Sequence, residues 1–384
     1  MISFVLPTRD RPERLKATLL ALDQLGPLPG GGEVIVVDNA SSERLVLPLR
    51  LASGVRVREI ALPRNEGAAA RNHGAAASDP ASQWIVMLDD DSYPDHTRFL
   101  DALSRQPQDV LAVSADIHLS TRGDRPAQRE SGGLPEVFIG CGVAVRREAF
   151  RALGGYDPAF NYYAEEYDLA ARMILAGGRI AFEPEFRVTH AKDARGRNMD
   201  LILSRLVRNN GWVAQRYAPE HARLPELRET RSRYRRIAAK ERALAGFTAG
   251  LLELRRTVRA QIRTPMSQAQ WDRFTGLAAA RAALHAAWSE RRFTTAALVE
   301  QGKNAWVVGR ALIELGVRVL PEGEDAEVTV IGTMSPGPML DAFARRQRAR
   351  YPGAPRVLMP WIPRPVAAAP VIESRPPARI GHAA

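Results

Sequence analysis

The run Trp84-Ile85-Val86-Met87-Leu88-Asp89-Asp90-Asp91 decides the fold of this chain. Its apolar, β-rich residues stop abruptly at three adjacent carboxylates, a pattern typical of a buried parallel strand that delivers acid groups into a cleft. Three neighbouring carboxylates repel one another unless a hard divalent cation, shared with substrate phosphates, neutralises them. We therefore expect a metal–diphosphate site. The alternative is a solvated acidic turn that leads into Ser92-Tyr93-Pro94.

Short β-rich runs alternate with helical patterns around this strand. The order indicates an α/β fold over residues 1–200, with a mainly parallel sheet flanked by helices. The predicted strands are Ile2–Pro7, Glu33–Asp38, Val55–Leu62, Trp84–Asp89, Val110–Ile117 and Phe138–Val145. The predicted helices are Arg11–Leu25 and Gly67–Ala77, and a polar, mobile loop is expected from Ser120 to Pro135.

After His190, patterns typical of strands disappear, arginine becomes more frequent, and long alanine- and leucine-rich helical patterns follow. We expect a basic helical region over residues 201–316, in which Ser267-Gln268-Ala269-Gln270 has the spacing of a capping box. A small α/β unit is predicted over residues 317–360, from strands at Val317–Leu320, Glu327–Ile331 and Arg356–Met359 and a helix at Pro338–Arg350. The Pro/Ala-rich tail, residues 361–384, is predicted to be disordered.

Composition narrows the class of protein. A chain of 384 residues with 45% hydrophobic residues can bury a core for two or three domains, so disorder throughout is excluded. The single cysteine, Cys141, cannot form an internal disulfide, which suits a reducing cytosol. Neither a basic leader with a long apolar segment nor a run of ~18 apolar residues occurs. We expect a cytoplasmic protein, soluble or peripheral to the inner face of the membrane.

Positive charge is concentrated in one stretch of the chain. The net charge is +11, and between Leu201 and Arg263 there are 15 Lys+Arg against 5 Asp+Glu. Such a belt can meet nucleic acid, an anionic membrane surface or an anionic acceptor, or it can be an arginine-rich solvated helix face. Trp212, Tyr217, Tyr234 and Phe247 occur there in helical context, which is a weak pattern for nucleic acid.

Polar residues also follow the first two predicted strands. Pro7, Thr8 and Arg9 come after the first strand, and Asp38 and Asn39 end the second. The carboxyl ends of parallel strands share one edge, where open α/β sheets bind ligands. Asp38 could accept hydrogen bonds from a nucleoside while Thr8 and Arg9 contact base and phosphate. The alternative is that Asp-Asn simply initiates a turn.

A glycine and an arginine mark the start of the second predicted helix. Gly67 opens it and Arg71 lies in its early turns, where a helix favours anions, although plain glycine entry to a helix is the alternative. Neither G-x-G-x-x-G nor a P-loop occurs, so dinucleotide-dependent redox chemistry and ATP hydrolysis lose support.

The ordered set of motifs in the first half of the chain resembles the family 2 glycosyltransferases, which have the GT-A fold. The motifs are PTRDRPERL, EVIVVDNAS, RNEGAAARNHGAAA, WIVMLDDDSYP, GCGVAVRREAFRALGGYDPAF, YYAEEYDLAARMILAGGRI and VTH. The resemblance implies that Asp38 contacts the nucleoside, that Asp89 and Asp91 form a DxD pair for Mn²⁺ or Mg²⁺, and that His190 completes the metal site. Asp89 and Asp90 are also expected to bind the nucleotide-sugar donor.

The chemistry also requires a base that removes a proton from the acceptor hydroxyl. Glu165, Glu166 and Asp168 follow Tyr162-Tyr163 at a predicted helix start. The family usually has Glu-Asp here with aspartate as the base, so Glu166 takes that place, or Glu165 shares the task. The glutamate is a departure, since a shift of ~1 Å matters to attack geometry. Asp168 is expected to cap or orient the helix.

The resemblance implies an inverting, metal-dependent transferase. It would move a hexosyl or deoxyhexosyl group from a UDP-, dTDP- or GDP-linked sugar to a glycan or lipid-linked hydroxyl acceptor, in polysaccharide biosynthesis. A homo-oligomer is a further expectation.

Nucleotidyltransferases would need a glycine-rich basic loop after the first strand, which is missing. The non-catalytic alternative is a basic scaffold or nucleic-acid-binding protein with a degenerate transferase domain. A nucleophilic role for Cys141 is disfavoured, because no paired His/Asp arrangement accompanies it.

Overall fold

The computed structural model describes residues 1–120, 128–192, 198–349 and 353–363. The first part of the chain builds a nine-stranded sheet. Its strands are β1 Ile2–Thr8, β2 Gly32–Asp38, β3 Arg56–Ala61, β4 Trp84–Met87, β5 Ser92–Pro94, β6 Val110–Leu119, β7 Arg129–Glu130, β8 Val143–Arg146 and β9 Arg179–His190. The helices between them are α1 Pro12–Asp23, α2 Ala70–Ala77, α3 Arg98–Ser104, α4 Arg147–Ala152 and α5 Glu165–Leu175, with 3₁₀ turns at Gly67–Ala69 and Pro158–Phe160.

The strand order is β3-β2-β1-β4-β8-β6-β9-β5, and β7 pairs with β6. Strands β3, β2, β1 and β4 are parallel, and so are β6 and β9, whereas β8 and β5 run antiparallel to their neighbours. Thr8 lies opposite Asp38, and Val5 lies opposite Met87. This register brings the ends of β1, β2 and β4 to one edge, and the predicted α/β fold with a mainly parallel sheet is confirmed.

Apolar side chains alternate between the two faces of the central strands, as the two-residue period of a strand requires. Val5, Ile35 and Met87 join a core with α2 and α5, while Phe4 and Val86 join one with α1. Burial on both faces explains why these strands read as continuous apolar runs. The sheet is therefore held firmly between helices, and its carboxyl edge is free to carry polar side chains.

Three local predictions in this part differ from the structure. Only Val143–Arg146 of the predicted strand Phe138–Val145 is extended in the sheet, because the chain turns at Gly140 and Gly142. A Cβ on Gly142 would lie 2.8 Å from Ile117 Cγ1. The short β-like run Arg187-Val188-Thr189, expected before His190, is part of a strand of 12 residues. The predicted mobile loop contains β7, and its residues 121–127 lie outside the described residues.

Helices follow the first sheet: α6 Met199–Tyr217, α7 Glu220–Lys240, α8 Leu244–Thr257, α9 Gln268–Thr275 and α10 Leu277–Glu290, with a 3₁₀ turn at Val258–Ala260. The predicted capping box of Ser267 and Gln270 is confirmed at the start of α9. Among the described residues, none of the helices combines the length and the apolar character that crossing a membrane requires.

A second, four-stranded parallel sheet has the order β11-β10-β12-β13. It is built from β10 Thr295–Val299, α11 Ala305–Glu314, β11 Arg318–Leu320, β12 Val328–Ile331, α12 Pro336–Arg348 and β13 Arg356–Leu358. The prediction that residues up to about Gly316 form helices and no strands is wrong at β10, since a five-residue apolar run has no period that separates strand from helix. The division at residues 200, 316 and 360 stays a prediction.

The second sheet shares a hydrophobic core with the first. Leu298 and Val330 of the second sheet belong to the same buried cluster as Ile35 and Leu169. The chain remains packed as far as Trp361, whose indole N–H donates to Met334 O at 3.0 Å. The predicted disorder of residues 361–384 falls mostly on residues 364–384, which lie outside the described residues.

Two glycines allow α8 to lie directly against α6. A Cβ on Gly246 would be 2.0 Å from Asp200 O, and a Cβ on Gly250 would be 2.2 Å from Ser204 O. Because both close contacts are with backbone, no side-chain adjustment can relieve them. The position of α6 therefore depends on the absence of side chains at these two sites.

We predict that Gly250→Ala lowers the free energy of unfolding by ~1–3 kcal/mol, because the added methyl group forces α6 and α8 apart. Urea denaturation measures the change. The matched control is Gly309→Ala in α11, where a Cβ would meet no atom within 4 Å. That variant should be neutral or more stable by up to ~1 kcal/mol, through helix propensity. Equal effects at the two sites would contradict the close packing.

Candidate active site

A cleft of about 1090 Å³ opens at the carboxyl edge of the first sheet. Its lining comes from the loop after β1, the start of α1, α2, the loop after β4, β7, the loop before β8, the end of β9, the start of α5, the start of α6 and the start of α12. The lining includes Arg11, Arg71, Asp89, Asp91, Glu130, Gly140, Cys141, Tyr162, Tyr163, Glu165, Glu166, His190, Met199, Ile202 and Pro338. The chain thus gathers polar groups from widely separated segments into one hollow.

The first of the three acids, Asp89, pairs with Arg71. An Nη atom of Arg71 contacts Asp89 Oδ1 directly, and the same nitrogen donates at 3.4 Å to Leu88 O and to Gly140 O. Arg71 is buried, whereas about a third of the Asp89 side chain is exposed to the cleft. Gly140 must lack a side chain here, because a Cβ would lie 3.1 Å from Arg71 Cζ. The early turns of α2 therefore supply the counter-charge for Asp89.

The second acid, Asp90, points back into the protein. Its Oδ2 accepts from Thr8 Oγ1 at 2.8 Å and its Oδ1 lies 2.5 Å from Arg11 Nη1. Burial raises the pKa of Asp90 to about 7, although Arg11 and Thr8 act in the opposite direction. Asp90 does not line the cleft, so the structure separates it from Asp89 and Asp91.

The third acid, Asp91, lies between two cations. Arg11 Nη2 is 2.5 Å from Asp91 Oδ2, and His190 Nε2 is 3.3 Å from Asp91 Oδ1. Burial raises the pKa of a carboxyl group, but hydrogen bonds from His190 and Arg11 outweigh it and lower the pKa of Asp91. Asp91 is therefore a carboxylate that faces His190.

His190 stands at the end of β9 with a carboxylate on each side. Its Nδ1 lies 2.8 Å from Glu130 Oε2 and 3.7 Å from Cys141 Sγ. Burial opposes a charged imidazole, but the hydrogen bonds to Asp91, Cys141 and Glu130 prevail and raise the pKa of His190 to about 12. Cys141 and Glu130 approach the same ring nitrogen, so the imidazole cannot relay a proton from the thiol to the carboxylate.

The residues present fit a divalent cation. Donor atoms of Asp89, Cys141 and His190 all lie within 4.8 Å of one another, and Asp91 adds an oxygen beside His190. Carboxylate oxygens are the ligands that Mg²⁺ prefers, and Mn²⁺ also accepts imidazole nitrogen. Cys141 would be an unusual ligand for either ion. Sequence reasoning missed Glu130, which lay in a predicted loop without any motif.

Glu165 and Glu166 begin α5 and line the same cleft. Glu166 is half-buried, and its Oε1 accepts from the backbone N–H of Gly140 at 3.3 Å. Glu165 is 6% exposed, and among the described residues its Oε2 has no hydrogen-bond partner. Burial and the neighbouring Glu166 raise the pKa of Glu165 well above its ordinary value. Burial also raises the pKa of Glu166, against the opposing hydrogen bond from Gly140.

The backbone that leads into α5 is strained. Asn161, Tyr163 and Ala164 have φ angles of 62°, 71° and 65°, in the left-handed region that costs ~1–3 kcal/mol for a residue with a side chain. The side chain of Asn209 in α6 holds this turn, since its Nδ2 donates to Phe160 O, Tyr162 O and Tyr163 O at 3.0, 2.9 and 2.6 Å. Helix α6 thus fixes the direction of α5.

Asp168 has a structural role. Its side chain is 0% exposed and accepts from Arg172 Nε at 2.9 Å, Arg216 Nη1 at 2.8 Å and Tyr217 OH at 2.6 Å. Three donors account for both oxygens, and two of the donors belong to α6. The prediction that Asp168 orients the helix is confirmed, and it leaves Glu165 and Glu166 as the acids of α5 that face the cleft.

Other predicted donor residues lie at the same sheet edge but do not line the cleft: Pro7, Thr8, Arg9, Asp38, Asn39 and Gly67. Asp38 Oδ1 accepts from Ser41 N at 2.9 Å, and the Ser41 hydroxyl in turn accepts from Asp10 N at 3.0 Å, which connects Asp38 to the cleft wall. Asn39 accepts from Glu66 N at 2.8 Å and donates to Gly67 O at 3.1 Å. Their roles toward a donor stay predictions.

The chain is similar in sequence to known glycosyltransferases. The family model "Glycosyl transferase family 2" matches residues 3–154. Succinoglycan biosynthesis protein ExoO of Rhizobium meliloti is 28% identical over 251 residues, which cover 56% of this chain and 71% of that protein. Pre-mycofactocin glycosyltransferase of Mycobacterium tuberculosis is 27% identical over 209 residues, which cover 49% of this chain and 42% of that protein. The chain thus spans less than half the length of the second relative.

A solved structure, that of GalNAc-T7 with UDP, GalNAc and Mn²⁺, aligns with a TM-score of 0.46 and 16% identity over 68% of this chain and 57% of that chain. The family match begins in β1 and ends just after α4. It includes Asp38, Arg71 and the three acids that follow β4. The expected resemblance to glycosyltransferase family 2 is therefore confirmed over residues 3–154.

Proposed function

We propose that this chain is an inverting, metal-dependent glycosyltransferase that acts in polysaccharide biosynthesis. The observation that carries the proposal is one cleft with two sets of acids: Asp89 and Asp91 beside His190, and the paired Glu165 and Glu166 at the start of α5. The first set suits a cation and a diphosphate, and the second suits proton removal. The names of the relatives, one in succinoglycan biosynthesis, agree with this role.

The donor end would hold a nucleotide-diphosphate sugar, linked to UDP, dTDP or GDP. Asp89, Asp91 and His190 would hold Mn²⁺ or Mg²⁺, which when bound neutralises the charge of the departing diphosphate. Arg71 is paired with Asp89, and Arg11 with Asp91, so each carboxylate is already oriented before the donor arrives. A pre-oriented site loses little energy to rearrangement when charge develops on the leaving group.

Glu166 would act as the base. The acceptor hydroxyl loses its proton to Glu166 as its oxygen forms a bond to the anomeric carbon, while the bond from that carbon to the diphosphate breaks on the opposite side. One displacement inverts the configuration. Glu166 is favoured over Glu165 because it is the more exposed and Gly140 N–H fixes one of its oxygens. Glu165 would help to keep the pKa of the pair near working pH.

The acceptor would enter beside Tyr162, Tyr163, Met199 and Ile202, which give this end of the cleft an apolar lining. A glycan or lipid-linked hydroxyl compound suits such a surface. The exposed surface of α7, α8 and the turns after them carries basic side chains that have no acidic partner among the described residues: Arg228, Arg231, Arg235, Lys240, Arg242, Arg255, Arg256 and Arg259. They would attract an anionic membrane surface.

The nucleic-acid alternative loses its main sequence pattern. Trp212, Tyr217, Tyr234 and Phe247 are each 8% exposed or less, because they pack inside the helical part of the chain. Base stacking needs accessible aromatic rings, so these four do not form a stacking platform.

We predict that Glu166→Gln lowers turnover by ~10²–10⁴-fold and leaves Mn²⁺-dependent donor binding nearly unchanged, because only the proton acceptor is lost. Turnover is measured by mass spectrometry and donor binding by calorimetry. Glu165→Gln is the matched control, one residue away on the same wall, and should retain more activity. A larger loss in Glu165→Gln would transfer the role of base to Glu165.

The raised pKa of Glu166 has a consequence for the pH dependence of activity. A base works only when deprotonated, so activity should fall as the pH drops through the raised pKa, at a higher pH than the ordinary carboxyl value of 4.5 allows. The acid limb of kcat/KM against pH measures this. In Glu166→Gln the residual activity should lose that limb, and an unchanged limb would assign it to another group.

We predict that Asp91→Ala abolishes metal-dependent donor binding, because it removes the carboxylate that faces His190. With UDP, dTDP and GDP tested in turn, a nucleotide at ~100 times its Kd with Mn²⁺ should stabilise the wild-type chain by ~2.7 kcal/mol in thermal unfolding. The control Asp101→Ala, exposed on α3, should keep that response. A metal-linked response that survives in Asp91→Ala would refute the ligand role.

A further inference from the structure

Helix α12, which follows strand β12 of the second sheet, forms hydrogen bonds with strand β7 beside the cleft. Arg129 donates to Asp341 twice, from its backbone N to Oδ2 and from Nη1 to Oδ1, each at 2.8 Å. Directly after β7, Ser131 Oγ lies 2.6 Å from Ser335 Oγ and accepts from Gly337 N at 3.2 Å. We call the set Ser335, Gly337 and Asp341 the α12 clamp. It holds the residues on either side of Glu130.

The close approach of α12 to β7 is built into the backbone. A Cβ on Gly337 would lie 2.7 Å from Arg129 Cβ and 3.0 Å from Glu130 O. The Arg129 and Asp341 side chains are 27% and 18% exposed, so water competes less for this pair than for a surface ion pair. Pro338, next to the clamp, lines the cleft itself. Helix α12 and strand β7 are therefore closely packed, and their contact lies next to the active site.

Glu130 connects the clamp to the metal-type ligands. Its Oε2 lies 2.8 Å from His190 Nδ1, and its Oε1 contacts Lys192. Because Nδ1 faces Glu130, Nε2 is the nitrogen that faces Asp91 Oδ1, 3.3 Å away. A carboxylate in this position sets the tautomer and the ring orientation of metal-binding histidines. The direction of Glu130 thus decides which nitrogen of His190 faces the site.

We propose that the α12 clamp is a positioning device for the active site. Asp341, 212 residues from Arg129 in sequence, holds β7 so that Glu130 orients His190 toward Asp91. This inference rests on the proposed function, because it concerns the metal site of that reaction. It gives the C-terminal sheet a role in catalysis: without the clamp, the imidazole ligand would lose its fixed orientation.

The test compares Mn²⁺ affinity without donor, measured by calorimetry, in three full-length variants. Glu130→Gln should weaken Mn²⁺ binding by ~10–100-fold, and Asp341→Asn should weaken it in the same direction, by about tenfold. The control is Glu327→Gln, in the same sheet, whose Oε1 accepts from Thr294 and which does not line the cleft. It should bind Mn²⁺ as the wild type does. A purely structural role for Asp341 would change stability and leave Mn²⁺ affinity unaltered.

Because Asp341 acts through Glu130, the losses of Mn²⁺ affinity caused by Asp341→Asn and Glu130→Gln should not add in the double variant. Asp341→Asn in the Glu130→Gln background should cause little further loss of Mn²⁺ affinity, whereas full additivity would overturn the proposed route. If Asp341→Asn does not fold, Ser335→Ala removes a single clamp contact and should weaken Mn²⁺ binding by a smaller factor. Wild-type Mn²⁺ affinity in the folded variant overturns the inference.

Hydrogen exchange separates failure of this inference from failure of the proposed function. Backbone exchange at residues 129–131 should become faster in Asp341→Asn and stay unchanged in Glu327→Gln. If the wild-type chain binds no Mn²⁺, the proposed function fails, and exchange alone then decides the clamp. Faster exchange in Asp341→Asn upholds it, and unchanged exchange overturns it.

Discussion

The neutralisation of three adjacent carboxylates at the end of β4 is the constraint on which the rest of the site depends. Three elements supply the partners of these acids: Arg71 of α2 pairs with Asp89, Arg11 before α1 pairs with Asp90 and Asp91, and His190 at the end of β9 pairs with Asp91. Because like charges so close together repel, these three elements must meet at this edge for the fold to be stable. The same convergence orients the acids toward a cleft.

The start of α5, which carries Glu165 and Glu166, follows a strained turn that contacts from α6 hold in place. The left-handed residues before α5 would relax in isolation, but Asn209 ties three of the carbonyls around them and Asp168 ties α5 to Arg216 and Tyr217. Helix α6, for which the sequence offered no functional motif, therefore supports the active site. The glycines of α8 extend this support, because they let α8 press α6 into place.

Prediction from sequence was most successful where a single residue pattern decides the local structure. The parallel strands, the three acids and the orienting role of Asp168 could be recognised, because apolar runs and charge spacing are local properties. Strand β10 and the role of Glu130 could not be recognised. A short apolar run fits helix or strand equally well, and Glu130 gains its meaning only from His190, which lies 60 residues further along the chain.

From the sequence alone, parallel strands with acids at their carboxyl ends could be predicted, because an apolar run and the charges that follow it are local properties of the chain. Only the tertiary structure decided which acids share the cleft. It turned Asp90 inward toward Thr8 and Arg11, left Asp89 and Asp91 facing the hollow, and brought Asp341 to Arg129. The physical reason is that side-chain direction and long-range pairing depend on packing, which no local pattern encodes.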